Sequence, residues 1–170
     1  MPTIALLGTG LLGEAIGHRL LEQGVTLKIW NRSAAKCEPL LKQGAELIEN
    51  LDGAAKGCQA VITVLRDGPV SAEVIAELGD LDAVCCLPMG TMGISESRQL
   101  ELQVQEQQGI YLEAPVLGSK PEALKGTLLV MAGGDAAIFQ QQLPLLRLLS
   151  ADPKWMGPVS YTHLTLPTKA

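Results

Sequence analysis

The sequence predicts an α/β fold: a doubly wound, mostly parallel sheet with helices on both faces. Two observations carry this. Short apolar runs alternate with helix-like segments along the chain, and glycines punctuate the joins. That alternation is the pattern of parallel strands linked by helical crossovers. A Gly-x-Gly-x-x-Gly string, Gly8 to Gly13, stands between the first strand and the first helix. Composition sets the frame. The chain has 170 residues, 47% hydrophobic and 18% charged, enough for one domain-sized core and too apolar for a disordered chain.

Thr3–Leu7 is a buried-strand run. Leu11–Gln23 places Leu12, Ala15, Ile16 and Leu20 on one face and predicts a helix ended by Gly24. Val25–Trp30, rich in β-branched and aromatic residues, is the second strand. Ser33 can cap a helix reaching toward Gly44. Pro39 inside that stretch implies that Ser33–Glu38 is a turn, or that the helix restarts there. Ala45–Ile48 is a short third strand, and Asn50 can cap a small helix up to Gly57. Gln59–Leu65 is the clearest strand. Ser71–Leu78 is a helix stopped by Gly79, and Ala83–Leu87 is a strand. Ser95–Gln108 is helical by propensity, although Leu100, Leu102 and Val104 alternate as in a strand. Ile110–Leu112 and Thr127–Ala132 are strands, and Asp135–Ser150 is a helix.

The formal net charge of −5 and an aromatic content of 3% oppose nucleic-acid binding, which needs basic patches and often stacking rings. The apolar stretch after Met1 stops at Gly8, too short for a signal peptide or a membrane span. Cys37, Cys58, Cys85 and Cys86 form no C-x-x-C pair and read as small buried hydrophobes in a reducing cytosol. A cytoplasmic protein without metal, membrane or nucleic-acid partner is therefore expected.

The chemistry begins at Gly8-Thr9-Gly10-Leu11-Leu12-Gly13. Following a strand and opening a helix, this string is in the context of a dinucleotide site on a Rossmann sheet. Gly8 permits the tight turn, Gly10 lets the backbone approach a pyrophosphate, and Gly13 lets helix and strand pack closely. The helix N-terminus offers N–H groups and the positive end of its dipole. An acidic residue about 20 residues past the glycines would bind the ribose hydroxyls of NAD. Asn31-Arg32-Ser33 stands there instead. Arg32 supplies a planar cationic fork for a 2′-phosphate, Asn31 and Ser33 can donate to it, and Lys36 adds charge. The expected cofactor is NADP(H).

At these residues the chain resembles the N-terminal half of the β-hydroxyacid dehydrogenases. That family includes 3-hydroxyisobutyrate dehydrogenase, glyoxylate/succinic semialdehyde reductases and, more distantly, 6-phosphogluconate dehydrogenase. The resemblance runs from Thr3 to about Val159 and rests on four ordered motifs. The first is Leu7–Gly13 followed by Trp30–Ser33. The second is Val61–Asp67, which implies that Leu65 and Arg66 border the cofactor. The third is Met89-Gly90-Thr91-Met92, which implies that Thr91 lies near the nicotinamide. The fourth is Glu113-Ala114-Pro115-Val116-Leu117-Gly118-Ser119 with Gly126-Thr127-Leu128 beyond it. It is similar to the family's substrate signature, in which Gly118 and Ser119 would hold a substrate carboxylate. Leu117 departs from the Ser that many members carry there. Lys120 reads as a solvated loop charge.

The resemblance implies an oxidoreductase moving a hydride between NADP(H) and a small β-hydroxy acid or its aldehyde or semialdehyde. It also implies that the general acid/base lysine sits on a second, all-helical domain, through which family members pair as homo-oligomers. That domain is not in this chain, so residues 1–159 are expected to be an NADP-binding Rossmann domain without turnover. Residues 160–170 lack the glycine-rich turn the family shows there, carry Pro167, and are expected to be a non-native tail. Two other readings compete: a non-catalytic NADP-binding module, and an imine-reductase-like Rossmann oxidoreductase.

Overall fold

The computed structural model describes residues 2–159. The expected non-native tail falls on 160–170, outside the described residues. In chain order the elements begin with β1 (Thr3–Leu7), α1 (Leu11–Glu22) and β2 (Thr26–Trp30). A 3₁₀ turn (Ala34–Cys37) then leads to α2 (Glu38–Leu41), β3 (Glu46–Leu47) and β4 (Ala60–Thr63). Next come α3 (Gly68–Glu77), β5 (Cys85–Pro88), α4 (Ile94–Glu106) and β6 (Ile110–Tyr111). The last part holds β7 (Val116–Leu117), α5 (Lys120–Lys125), β8 (Leu129–Ala132), α6 (Ala136–Leu149) and β9 (Lys154–Trp155).

Six strands form one sheet in the order β3-β2-β1-β4-β5-β6, and every pair in it is parallel. The chain runs outward from β1 to β3, returns, and runs outward again from β4 to β6. The switch point therefore lies between the carboxyl ends of β1 and β4, where such sheets bind ligands. Both faces are covered. Ile4 and Leu6 of β1 enter one core with Ala15, Ile16 and Leu20 of α1 and with Leu145, Leu146 and Leu149 of α6. Ala5 and Leu7 enter the other core with Val74 and Ile75 of α3 and Leu100 and Val104 of α4. This is why the central strands read as unbroken apolar runs instead of alternating ones.

A second, three-stranded sheet continues past β6. In it β7 pairs antiparallel with β8, and β8 pairs parallel with β9. The strand expected over Thr127–Ala132 thus exists but belongs to this extension. Arg19, in the last turn of α1, ties the extension to the main body by donating from Nε to the Leu148 carbonyl at 2.8 Å.

Several expectations are corrected. Asn50–Gly57 forms turns and no helix; Asn50 Oδ1 accepts from the Asp52 N–H at 3.1 Å. That short Asx-type bond competes with helix initiation. The helix α3 starts three residues earlier than expected, because Asp67 caps it by accepting from the Val70 N–H at 2.9 Å and Pro69 fits its first turn. Pro39 likewise opens α2, so the helix does restart there. In α4, Leu100 and Val104 are buried while Leu102 is 60% exposed. The i,i+4 pair is the helix signal, and Leu102 is a surface leucine within an apparent alternation.

Candidate functional site

The site is built where β1, β2, β4 and β5 end. Gly8 leaves β1 with φ +106, a conformation suited to glycine, and a Cβ there would lie 2.2 Å from the Val64 carbonyl oxygen. A Cβ on Gly13 would lie 2.0 Å from the Gly8 carbonyl oxygen, so α1 packs directly on the turn. Gly10 differs: a Cβ there would meet nothing within 4 Å. Its small size is not required by the protein's own packing. It leaves open space over the N-terminus of α1, and that cradle fits the approach of a pyrophosphate. Gly10 is the N-cap of α1 and provides no side-chain cap, so the first-turn N–H groups at Leu11, Leu12 and Gly13 are presented to a ligand. Leu11 is 77% exposed at this mouth, whereas Leu12 packs against the core, so the backbone of Leu12 is what can serve the site.

Thr9 and Asn31 have structural duties. The Thr9 N–H donates to Asn31 Oδ1 at 2.9 Å, and the Thr9 hydroxyl donates to the Lys36 carbonyl at 3.0 Å. Asn31 Nδ2 donates to the Ser33 carbonyl at 3.1 Å. Asn31 was expected to donate to a 2′-phosphate; its amide oxygen and one of its two N–H groups are engaged by the backbone, and one N–H is left for a ligand. Arg32, Ser33 and Lys36 remain exposed at the end of β2. Arg32 makes no salt bridge among the described residues, and Ser33 makes no side-chain cap to the turn it opens. Together they form a cationic, hydrogen-bonding cluster suited to a phosphate.

On the other side of the switch point, Leu65 packs under the glycine turn, its Cδ2 3.0 Å from where a Gly8 Cβ would lie. The Arg66 side chain is 80% exposed and meets Asp67 Oδ2 at 3.1 Å. An exposed pair of this kind holds Arg66 weakly and leaves it able to turn toward a ligand. The Val70 N–H holds the Asp67 carboxyl below its usual range, with a smaller contribution from Arg66.

Thr91 lies beyond β5 and lines a cavity of about 120 Å³. One wall is Gly90, Thr91, Met92 and Ser97; the other is Glu113, Pro115, Val116 and Leu117, with Pro88 and Met131 completing it. The expected substrate residues Gly118 and Ser119 are not among its lining. The Ser119 N–H and hydroxyl both donate to Glu122 Oε1, at 2.7 and 2.8 Å. The two Ser119 donors expected to hold a substrate carboxylate are therefore already satisfied by a carboxylate of the same chain. The reason is a Ser-x-x-Glu box that opens α5, with Pro121 in its first turn and Gly126 ending it at φ +72. That helix was not expected from sequence, although Ser119, Pro121, Glu122 and Gly126 spell its start and stop.

Three residues at the cavity were also missed as a group. Ser97 Oγ donates to Glu113 Oε1 at 2.5 Å and stands 2.9 Å from the Tyr111 hydroxyl. All three are buried. No spacing in the sequence links them; α4, β6 and the segment after it bring them together. Burial pushes the Tyr111 hydroxyl well above the usual tyrosine range. It also pushes the Cys85 thiol upward and the Cys86 thiol to about 12, leaving both as neutral core side chains.

The strand order, the glycine turn at the switch point and the open helix N-terminus define a dinucleotide-binding Rossmann domain. Residues 3–157 match the model of the NAD binding domain of 6-phosphogluconate dehydrogenase, and the chain belongs to that family. It binds a nicotinamide dinucleotide of the NAD(P) type. Over 161 residues it is 30% identical to glyoxylate/succinic semialdehyde reductase 1 of Arabidopsis thaliana, covering 92% of this chain and 56% of the relative. The fold of 3-hydroxyisobutyrate dehydrogenase from Mycobacterium tuberculosis superposes with a TM-score of 0.90 at 21% identity, over 96% of this chain and 58% of that one. The imine reductase from Myxococcus stipitatus in complex with NADP+ superposes with a TM-score of 0.88 at 23% identity, over 96% and 58%. The chain spans about half the length of the curated relatives it matches. Among the described residues, no helix is long and apolar enough to cross a membrane.

Proposed function

We propose that this chain is the NADP(H)-binding half of an oxidoreductase that acts on a small β-hydroxy acid or its aldehyde or semialdehyde. The observation that carries the cofactor choice is the cluster of Arg32, Ser33 and Lys36, exposed at the end of β2 with no carboxylate among them. A 2′-phosphate is stabilised there by charge-assisted hydrogen bonds that a 2′-hydroxyl cannot make. The first-turn N–H groups of α1 hold the pyrophosphate, Leu65 and Arg66 flank the bound nucleotide, and Thr91 faces its nicotinamide end. When bound, the cofactor supplies the hydride chemistry; the chain supplies position and electrostatics.

The substrate class follows the 30% identity to a glyoxylate/succinic semialdehyde reductase. The likeness in fold to an imine reductase supports a second reading, in which the same cavity takes a carbon–nitrogen double bond. Leu117 and Leu129 are partners in register on β7 and β8 and stand 54% and 43% exposed. That apolar pair beside the cavity supports a docking face for the helical half that carries the general acid/base and pairs the protomers. Titration of NADPH and NADH by nicotinamide fluorescence tests the reading: tighter binding of NADPH, with no turnover of glyoxylate or succinic semialdehyde by this chain, is the expected result. Preference for NADH would overturn the cofactor choice, and turnover would overturn the need for a second half.

A further inference from the structure

Glu113 sits where the two sheets join. Its N–H donates to the Gly133 carbonyl at 3.0 Å and its carbonyl accepts from the Gly133 N–H at 2.9 Å, while the next residue, Ala114, donates to the Pro88 carbonyl at 2.9 Å. Its carboxyl group is 2% exposed with the rest of the residue, yet it lines the cavity. Burying a carboxylate is costly unless hydrogen bonds compensate, and an apolar side chain would fill the same position more cheaply. Ser97, 1% exposed in the first turn of α4, gives its one O–H to Glu113. The Tyr111 hydroxyl, 2.9 Å away, must then be the donor to Ser97. The result is a directional chain, Tyr111 to Ser97 to Glu113, in which each donor strengthens the next.

Two members of this chain, Ser97 and Glu113, line the cavity, and Tyr111 is outside its lining. Ser97 belongs to the wall that carries Thr91 and Met92; Glu113 begins the wall that carries Pro115, Val116 and Leu117. The cavity measures about 120 Å³, below the roughly 150 Å³ of a cavity that encloses a whole benzene ring, so it takes part of an aromatic ring. We infer that Tyr111, Ser97 and Glu113 are positioning residues for the nicotinamide ring: they tie the segment that carries Thr91 to the segment that carries Pro115, Val116 and Leu117, both of which line the cavity. The inference rests on the nucleotide reading above and deepens it, since Arg32, Ser33, Lys36 and the α1 N-terminus act on the other end of the molecule.

The test is calorimetric titration of this chain with NADPH and with 2′-phospho-ADP-ribose, which keeps every group except the nicotinamide. The unaltered chain is expected to bind NADPH more tightly. Ser97→Ala and Glu113→Gln are each expected to weaken NADPH by about tenfold through loosening of the segments that line the cavity, with 2′-phospho-ADP-ribose unchanged within about twofold. Tyr111→Phe keeps the packed ring and is expected to weaken NADPH by about threefold. Far-ultraviolet circular dichroism confirms folding of each variant. Equal losses for both ligands in the folded variants would make the role merely structural and overturn the inference, as would no loss for either. If the unaltered chain binds 2′-phospho-ADP-ribose as tightly as NADPH, the ring is not seated in the cavity and the inference fails while the nucleotide reading stands. If it binds neither, both fail together.

Discussion

The Thr9 N–H donates to Asn31 Oδ1 across 2.9 Å, joining the glycine turn after β1 to the residue that follows β2. Asn31 also donates to the Ser33 carbonyl at 3.1 Å, and the Thr9 hydroxyl reaches the Lys36 carbonyl at 3.0 Å. The glycine turn and the exposed cluster of Arg32, Ser33 and Lys36 are thus one mechanical unit. Thr9 is 1% exposed, so removing its acceptor leaves a buried donor unpaired. Asn31→Ala is expected to lower unfolding free energy by about 1–3 kcal/mol. Asn31→Asp keeps the Thr9 acceptor but loses the donor to Ser33, and is expected to fall between. Urea denaturation measures both; an Asn31→Ala protein as stable as the parent would sink the argument.

The glycines of the fingerprint separate into packing and binding residues. Gly13→Ala forces a Cβ to within 2.0 Å of a backbone oxygen that cannot move aside cheaply. It is expected to cost about 2 kcal/mol or more, in the range of overpacked sites. Gly10→Ala meets nothing within 4 Å and has φ −69, so the fold is expected to lose only the better N-cap, about 1 kcal/mol or less. Its effect is on the ligand: the methyl group enters the space a pyrophosphate needs, and NADPH affinity is expected to fall by about tenfold or more. A melting curve and a titration on each variant check the split. Gly10→Ala binding normally would show that the ligand approaches elsewhere.

Arg32 is the most exposed test of cofactor choice, because it makes no salt bridge among the described residues to complicate its removal. Arg32→Ala is expected to weaken NADPH by roughly 1.5–3 kcal/mol and to leave NADH nearly unchanged. Fluorescence titration with both cofactors reads the difference. Parallel loss would place Arg32 on a group the two cofactors share.

The sheet and its glycine turn were legible because each rests on local pattern: apolar runs of strand length, and three glycines between a strand and a helix. Right-handed crossovers implied a doubly wound sheet, and the order of its strands came from the structure. What was not legible depends on pairing at a distance. Nothing in Val116-Leu117 or Leu129–Ala132 says that they pair with each other, antiparallel, outside the main sheet. Asn31 presents the same difficulty at the site. Its residue type suits a phosphate, but Thr9 takes its oxygen and Ser33 one of its two N–H groups, which no local pattern announces. The Ser119–Glu122 box, by contrast, is written in the sequence, at the same residues that resemble the substrate signature.

That box makes the proposed substrate donors at Ser119 depend on pH. The Ser119 N–H, and after it the Ser119 hydroxyl, hold the Glu122 carboxyl below the usual glutamate range. A folded-state pKa below the unfolded value means that the cap is fully formed above the ordinary glutamate pKa. It is lost as pH falls through the depressed folded value. At neutral pH a substrate carboxylate would have to displace Glu122 from the same two donors, against like-charge repulsion. Glu122→Gln keeps an acceptor oxygen but removes the charge, so it is expected to remove the acid transition while leaving α5 formed. Following the Ser119 amide resonance by NMR from neutral to acidic pH checks this. The parent signal is expected to titrate below the usual glutamate value, and the Glu122→Gln signal to stay flat. A Ser119 resonance that shifts at or above that value would show that Glu122 does not occupy the site in solution, and would return Ser119 to the list of groups open to substrate.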